Sequence, residues 1–322
     1  MEQHGIHCGA NLLTIKLQYT NDVTSWRLFT IFTLNVEDCE FERRMKTGLA
    51  GNCVETPIGY RRKVTIDFAP LKDDKQALFF LFAWCLSNKK EVVYYTNSSG
   101  HIFDPGFDSY GNPLSGDVQT IEVAYIKNEV QFQHEKNAYF GNGFSLELIE
   151  SNLQQIEDDE SVRIFKPIYT PVGGGITGNT FTCYVNLVDQ SSIEIQKYPI
   201  RFIHGNQETR DYGYRHAFEI DTGAITTAEE RNWIRDFCLC KNKQIDTTAI
   251  DSYNGRVFNV VYADEYLQWK FTHGIQEAKT VVLKFKEKVL RTLVEEYTSV
   301  PSPYHEFILD TDQLDDTNII IG

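Results

Sequence analysis

Apolar and polar side chains alternate in two well-separated stretches of the chain. In RRKVTIDF, residues 61–68, Val64, Ile66 and Phe68 share one face, and Phe218 and Ile220 repeat that phase further on. A period of two carried by β-branched and aromatic residues predicts half-buried strands. A helix start follows each strand. Asp73 stands three residues before Gln76, and Thr227 three before Glu230, the spacing of an N-cap oxygen and its reciprocal partner. Leu78, Leu81, Phe82 and Cys85 then fall on one helical face, as do Trp233, Ile234, Phe237 and Cys238 or Cys240. Polar turns, SNKK at 87–90 and KNKQ at 241–244, end both helices. A further strand, VVYY, follows the first. Alternation returns at Phe144, Leu146 and Leu148, and at Val281, Leu283 and Phe285.

These parallels sit at constant offsets. Gly59-Tyr60-Arg61 recurs as Gly213-Tyr214-Arg215, an offset of 154 (213 − 59), and Ile66-Asp67 recurs as Ile220-Asp221. Without a gap, the same offset sets Asn88-Lys89 against Asn242-Lys243. The closing segments align at 137 (267 − 130), with Val130-Gln131-Phe132 against Leu267-Gln268-Trp269. The first copy therefore holds an insertion of 17 residues (154 − 137), placed at HIFDPGFDSYGNPLSGD. The expected organisation is an N-terminal arm at 1–26 and a first repeat at 27–150, with its insertion at about 100–116. A linker at 151–180, a second repeat at 181–292 and a C-terminal arm at 293–322 complete it. The fold class is mainly β with α, as two tandem strand–helix–strand domains.

Composition narrows the function. The 322 residues carry a net charge of −14, with 21 Phe and 17 Tyr. An acidic chain does not wrap duplex DNA, which requires a basic footprint. It is compatible with DNA passing by without sticking. No basic segment followed by an apolar core opens the chain, and the longest apolar run, residues 77–86, is too short to span a bilayer. Seven cysteines at irregular spacing predict reduced thiols in a cytoplasmic setting.

No catalytic constellation emerges. Pro171-Val172-Gly173-Gly174-Gly175-Ile176-Thr177-Gly178 has Asn179 where a phosphate-binding loop needs Lys, so it is expected to be a flexible linker or loop tip. Cys238 and Cys240 lie two apart on a helix and face different ways, which suits buried thiols better than zinc. Asp104, Asp108 and Asn112 are ordinary turn formers, without calcium-loop spacing. The acidic run 157–160 reads as solvated surface. No catalytic, cofactor or metal residues are therefore assigned. The repeated Arg61 and Arg215 could form equivalent salt bridges between subunits. Phe103, Phe107 and Tyr110 give the insertion an aromatic surface for a partner.

The block GYRRKVTIDFAPLKDDKQALFFLFAWCLSNKKEVVYY resembles a segment of the tail tube and distal tail (tail-tip hub) proteins of double-stranded DNA bacteriophages. The resemblance implies β-sandwich or barrel-like domains, each flanked by one helix and joined in a ring around a DNA-conducting channel. It also implies a non-enzymatic virion protein, made in the host cytoplasm and built into the tail. No cofactor is expected. Its partners would be copies of itself, as a trimer or hexamer, and adjacent tail or baseplate proteins, with DNA only in transit and no membrane insertion. The alternative is a carbohydrate- or host-surface-binding module using Tyr94, Tyr95, Phe103, Phe107 or Tyr110. A third class is an enzyme whose site forms only across subunits.

Overall fold

The computed structural model describes residues 12–48, 52–71, 74–125, 134–135, 138–139, 144–156, 161–201, 207–250, 255–272 and 275–291. Its first half holds β1 (Leu13–Tyr19), β2 (Asp22–Thr47), β3 (Cys53–Phe68), α1 (Lys75–Leu86), β4 (Lys90–Thr96) and β5 (Asp117–Tyr125). The short β6 (His134–Glu135) and β7 (Ala138–Tyr139) follow, then β8 (Phe144–Glu150) and β9 (Gln154–Gln155). The second half holds β10 (Arg163–Ile168), β11 (Gly175–Thr177), β12 (Thr180–Arg201), β13 (Gln207–Thr222) and α2 (Ala228–Leu239). It ends with β14 (Lys243–Asp246), β15 (Val257–Tyr262), β16 (Tyr266–Leu267), β17 (Lys270–Thr272), β18 (Ile275–Thr280) and β19 (Val282–Glu287). The fold is mainly β. Among the described residues no helix is long and apolar enough to cross a membrane.

Strands pair in the order β2-β1-β4-β5-β8-β3, and β3 returns to β2, closing a six-strand barrel. In the second sheet the order is β10-β14-β15-β19-β13-β12, and β12 returns to β10. Closure leaves no open edge along the closed part of a sheet. Inward residues of the first ring, among them Ile15, Leu17, Val64, Ile66, Leu146 and Leu148, form one core under α1. Phe165, Phe181, Ile220, Phe237, Leu283 and Phe285 belong to the other, under α2. The rings differ in their first strand: β1 runs antiparallel to β2 and β4, whereas β10 runs parallel to β12 and β14.

Both helices obey local rules. Thr227 caps α2 in a complete capping box with Glu230. The cap of α1 is Asp74, whose carboxylate accepts from Ala77 N at 2.9 Å; Asp73 lies outside the described residues. Helix and cap therefore stand 153 residues apart (227 − 74), one fewer than the strands before them, and the ungapped match of Asn88-Lys89 with Asn242-Lys243 slips by one. Ala77, Leu81, Trp84 and Cys85 face the core, and Trp84 Nε1 donates to Gln18 O at 2.9 Å.

Two stretches expected to lie outside the domains contribute strands. Residues 13–26, read as part of an arm, supply β1 and the start of β2. The 151–180 linker holds β9, β10 and β11. The glycine-rich stretch is a hairpin arm rather than a free tip: Ile176 pairs with Phe181 and Thr177 with Thr180. Residues 130–132, 157–160 and the C-terminal arm lie outside the described residues.

Candidate functional site

The two rings meet through the distal half of the β2–β3 hairpin. β2 leaves the first core at an irregularity between Asn35 and Asp38, and beyond it Cys39 and Phe41 enter the second core. β16, a short strand from the second half of the chain whose Leu267 lies in the second core, pairs with β2 at Cys39 and Glu40. Trp269 N donates to Asp38 Oδ1 at 2.8 Å. Burial pushes the Asp38 carboxyl up.

Charged groups seal this contact. Glu55, on β3, bridges Arg43 at 2.9 Å and Lys243 at 2.7 Å, and the Glu55 and Lys243 side chains are wholly buried. Lys243 Nζ also donates to Cys238 O at 2.7 Å. Arg43 donates to the carbonyls of Tyr262 and Asp264 and lies over the Tyr262 ring. A second cluster joins Glu37 of β2 to Arg231 of α2 and to Lys279 of β18, both at 2.8 Å. Arg235 lies over the Tyr60 ring, 4.7 Å from its centroid.

A cleft of about 260 Å³ opens beside the second cluster, lined by Glu37, Arg62, Tyr94, Arg231, Arg235 and Trp269 among others. Arg231 Nη1 is buried there and has no hydrogen-bond partner among the described residues. Burial works against the Arg62 charge, but hydrogen bonding and the charge of Glu150 outweigh it and raise its pKa. Burial likewise raises the Tyr94 hydroxyl and pushes the Cys39 thiol to about 12. A thiol held so high is a poor nucleophile.

The predicted positions fall apart spatially. Arg61 and Arg215 lie on different rings and bond within the chain: Arg61 Nη1 to Ser151 O at 3.0 Å and Nε to Glu42 at 3.2 Å, Arg215 to Cys53 Sγ. Arg215 is buried, and its Nε lies 3.9 Å from the Glu194 carboxylate. Phe107 packs edge-on against Tyr95, and Phe103 lies against Gly116, both half-buried; Tyr110 is exposed. Tyr94 and Tyr95 are buried. The insertion meets the second ring at its base, where His101 Nε2 hydrogen-bonds Thr226 O at 3.0 Å. The Asp108 carboxylate takes Tyr110 N, Asn112 N and Asn112 Nδ2, and Asp104 takes Gly106 N, which are turn-closing roles, while the Thr14 hydroxyl of β1 donates to Asp104 and ties the loop to the first ring. Among the described residues no group of three or more His, Cys, Asp or Glu could hold a metal ion.

Sequence reasoning missed the Glu55 and Glu37 clusters. One signal was present: in β3, Cys53 and Glu55 share the buried phase, so a carboxylate stands where the alternation calls for an apolar residue.

Two solution properties follow. Cys39, Cys53, Cys85, Cys183, Cys238 and Cys240 are all buried free thiols, and burial raises Cys85 to about 11 and pushes up Cys183 and Cys238. In native buffer none of these six is expected to react with Ellman's reagent, whereas all seven cysteines react once the chain is unfolded. Prompt native labelling of any of the six, mapped by mass spectrometry, contradicts their burial. His216 packs beside Tyr214 and Phe258, and burial lowers its pKa from 6.5 despite the opposing pull of Glu287. A depressed folded-state pKa means that protonation favours unfolding. The contribution of His216 is full above about pH 6.5 and is lost as pH falls through the folded value. The melting temperature should therefore fall less steeply below that pH in His216→Phe than in the parent.

No protein-family model matches the chain, and no curated protein matches it.

Proposed function

We propose that the chain is a structural, non-enzymatic phage-tail protein, a tail-tube or tail-tip hub component. In this reading it is built from two copies of one barrel domain and assembles into a ring around a DNA-conducting channel. The observation that carries the reading is the seating of the β2–β3 hairpin of the first ring in the second, a head-to-tail contact. Such a contact uses different surfaces on its two sides, so it can be repeated until a ring closes.

Several details support a common origin for the two rings. The hairpins have register shifts after Ile31, Asn35 and Glu42 and after Val185, Asp189 and Gln196, each pair 154 apart (185 − 31, 189 − 35, 196 − 42). Irregularities of this kind are specific features of a strand pair. Side-chain contacts match as well. Glu150 accepts from Arg62 N and from Gln154 four residues on; Glu287 accepts from His216 N and from Arg291 four residues on. Lys90 donates to Cys85 O at 2.6 Å as Lys243 does to Cys238 O.

Three chains would supply six barrels, and six chains two stacked layers. The net charge of −14 suits a lumen along which DNA must slide. Adjacent tail or baseplate proteins would meet the unshared insertion. Native mass spectrometry with negative-stain electron microscopy tests the reading. A closed ring with an axial pore is expected, and a monomer at every attainable concentration overturns it.

A further inference from the structure

We propose that one face of each ring is an incomplete copy of the internal contact, completed by a second chain: Ile193 and Ile195 of β12 dock on the apolar face of α1, around Phe79 and Leu86. The inference rests on the reading that the rings are copies of one domain, and it names the surfaces that join one chain to the next.

The register of the two hairpins makes the correspondence. Cys39 pairs with Arg62 and Phe41 with Tyr60; Ile193 pairs with His216 and Ile195 with Tyr214. At the common offset Ile193 therefore stands where Cys39 does, and Ile195 where Phe41 does. Cys39 and Phe41 are 1% and 5% exposed because they enter the second ring, whereas Ile193 and Ile195 are 51% and 53% exposed. The hydrogen-bonding edge repeats the pattern. β16 covers β2 at Cys39 and Glu40, while among the described residues β12 carries no strand on that edge at Ile193 and Glu194. Two neighbouring β-branched apolar side chains on an uncovered strand edge are the kind of surface that stable monomers avoid.

The receiving surface is the other half of the same argument. In the second ring α2 holds the incoming hairpin through Arg231 on Glu37 and Arg235 over Tyr60. At the helix offset of 153, Leu78 and Phe82 of α1 occupy those two positions. Leu86 is 83% exposed, although its counterpart Leu239 is 1% exposed in the second core, and Phe79 is 70% exposed. After Gln76, α1 contains no polar residue at all. A helix that is apolar all round belongs in an interior. Where α2 meets the internal hairpin with Arg231 and Arg235, α1 presents Leu78 and Phe82, so the apolar face of α1 suits the apolar pair on β12. The occupant is a second copy of this chain.

Two double variants separate this proposal from the ring reading. Ile193→Glu with Ile195→Glu disables the docking hairpin, and Phe79→Glu with Leu86→Glu disables the receiving helix. All four side chains are exposed, so both variants should keep the parent's circular dichroism spectrum and melting curve. Thr at 193 and 195 offers a milder version that keeps β propensity. By sedimentation velocity each variant alone is expected to be monomeric where the parent forms a ring. An equimolar mixture should yield a one-to-one dimer, because one intact hairpin can meet one intact helix and growth then stops. Variants that still form the parent's ring overturn this interface and leave the ring standing. Two monomeric variants that do not combine overturn the head-to-tail pairing. A parent that is itself monomeric overturns the ring and this interface with it.

Discussion

Replacing Glu55 with Leu should lower stability by about 3–5 kcal/mol, read as a fall in the denaturant midpoint. The carboxylate is wholly buried between Arg43 and Lys243. Removing it leaves two cations enclosed with no counter-charge and little water. That penalty comes from the groups left behind, not from the worth of the pair itself, so partner removal should restore much of it. Glu55→Leu combined with Lys243→Met is expected to recover a large share, since Arg43 keeps the Tyr262 and Asp264 carbonyls and the Tyr262 ring. The outer pair of Arg61 with Glu42 supplies the contrast. Both side chains are at least a third exposed, and Glu42→Ala should cost no more than about 1 kcal/mol. A loss below about 1 kcal/mol for Glu55→Leu would contradict the sealed contact. Because Glu55 lies on the first ring and Lys243 on the second, the loss should fall on the junction between them. The variant is expected to acquire a second unfolding transition if the rings hold together mainly there.

The sequence showed those parts of the fold whose signals are local. Alternation located β3, β13 and the closing strands, because one face of each meets a core. Thr227 with Glu230 located the start of α2, since a capping box is complete within four residues. At α1 the same spacing pointed to Asp73, whereas the cap is its neighbour Asp74. The connection from Phe68 to the Asp74 cap is one residue longer than that from Thr222 to Thr227, and only the direction of a side chain towards Ala77 N reveals it. β1 and β10 were less visible for a different reason. They fill the same slot in the two pairing orders but run in opposite directions, so no same-direction sequence offset could align them. The junction was the least legible. Glu37, Glu55, Lys243 and Lys279 are neighbours across 188 to 242 residues of chain, and nothing in a strand's own period says which strand will cover a carboxylate.

The Gly-Tyr-Arg repeat yields the second large effect. Gly213→Ala and Gly59→Ala should each destabilise the protein, for one shared reason and one difference. Around Gly59 a new Cβ would lie 2.4 Å from Gln154 O, and around Gly213 2.3 Å from Arg291 O. Real Cβ atoms do not approach so closely, and the obstacle is backbone. In each ring the chain emerging from the last barrel strand passes over this glycine and bonds the tyrosine after it: Tyr60 pairs with Gln154, and Tyr214 exchanges both backbone hydrogen bonds with Arg291. An added methyl must lift that crossing, an overpacking cost of about 1–3 kcal/mol. Gly213 also has φ of 151°, which L side chains rarely adopt, adding about 1–3 kcal/mol of strain. Gly213→Ala should therefore be the worse of the two in a denaturation series. The effect should also be local, with faster hydrogen exchange at Tyr214 and Arg291 than elsewhere in the second ring. Equal losses for the two variants would remove the role of φ, and no loss in either would remove the close crossing. Glycine in this repeat thus serves backbone proximity, with tyrosine as the partner of the crossing strand. Arg61 and Arg215, which follow them, share a place in the register but differ in burial, so the two occurrences share the backbone role of glycine and tyrosine while their arginines have different surroundings.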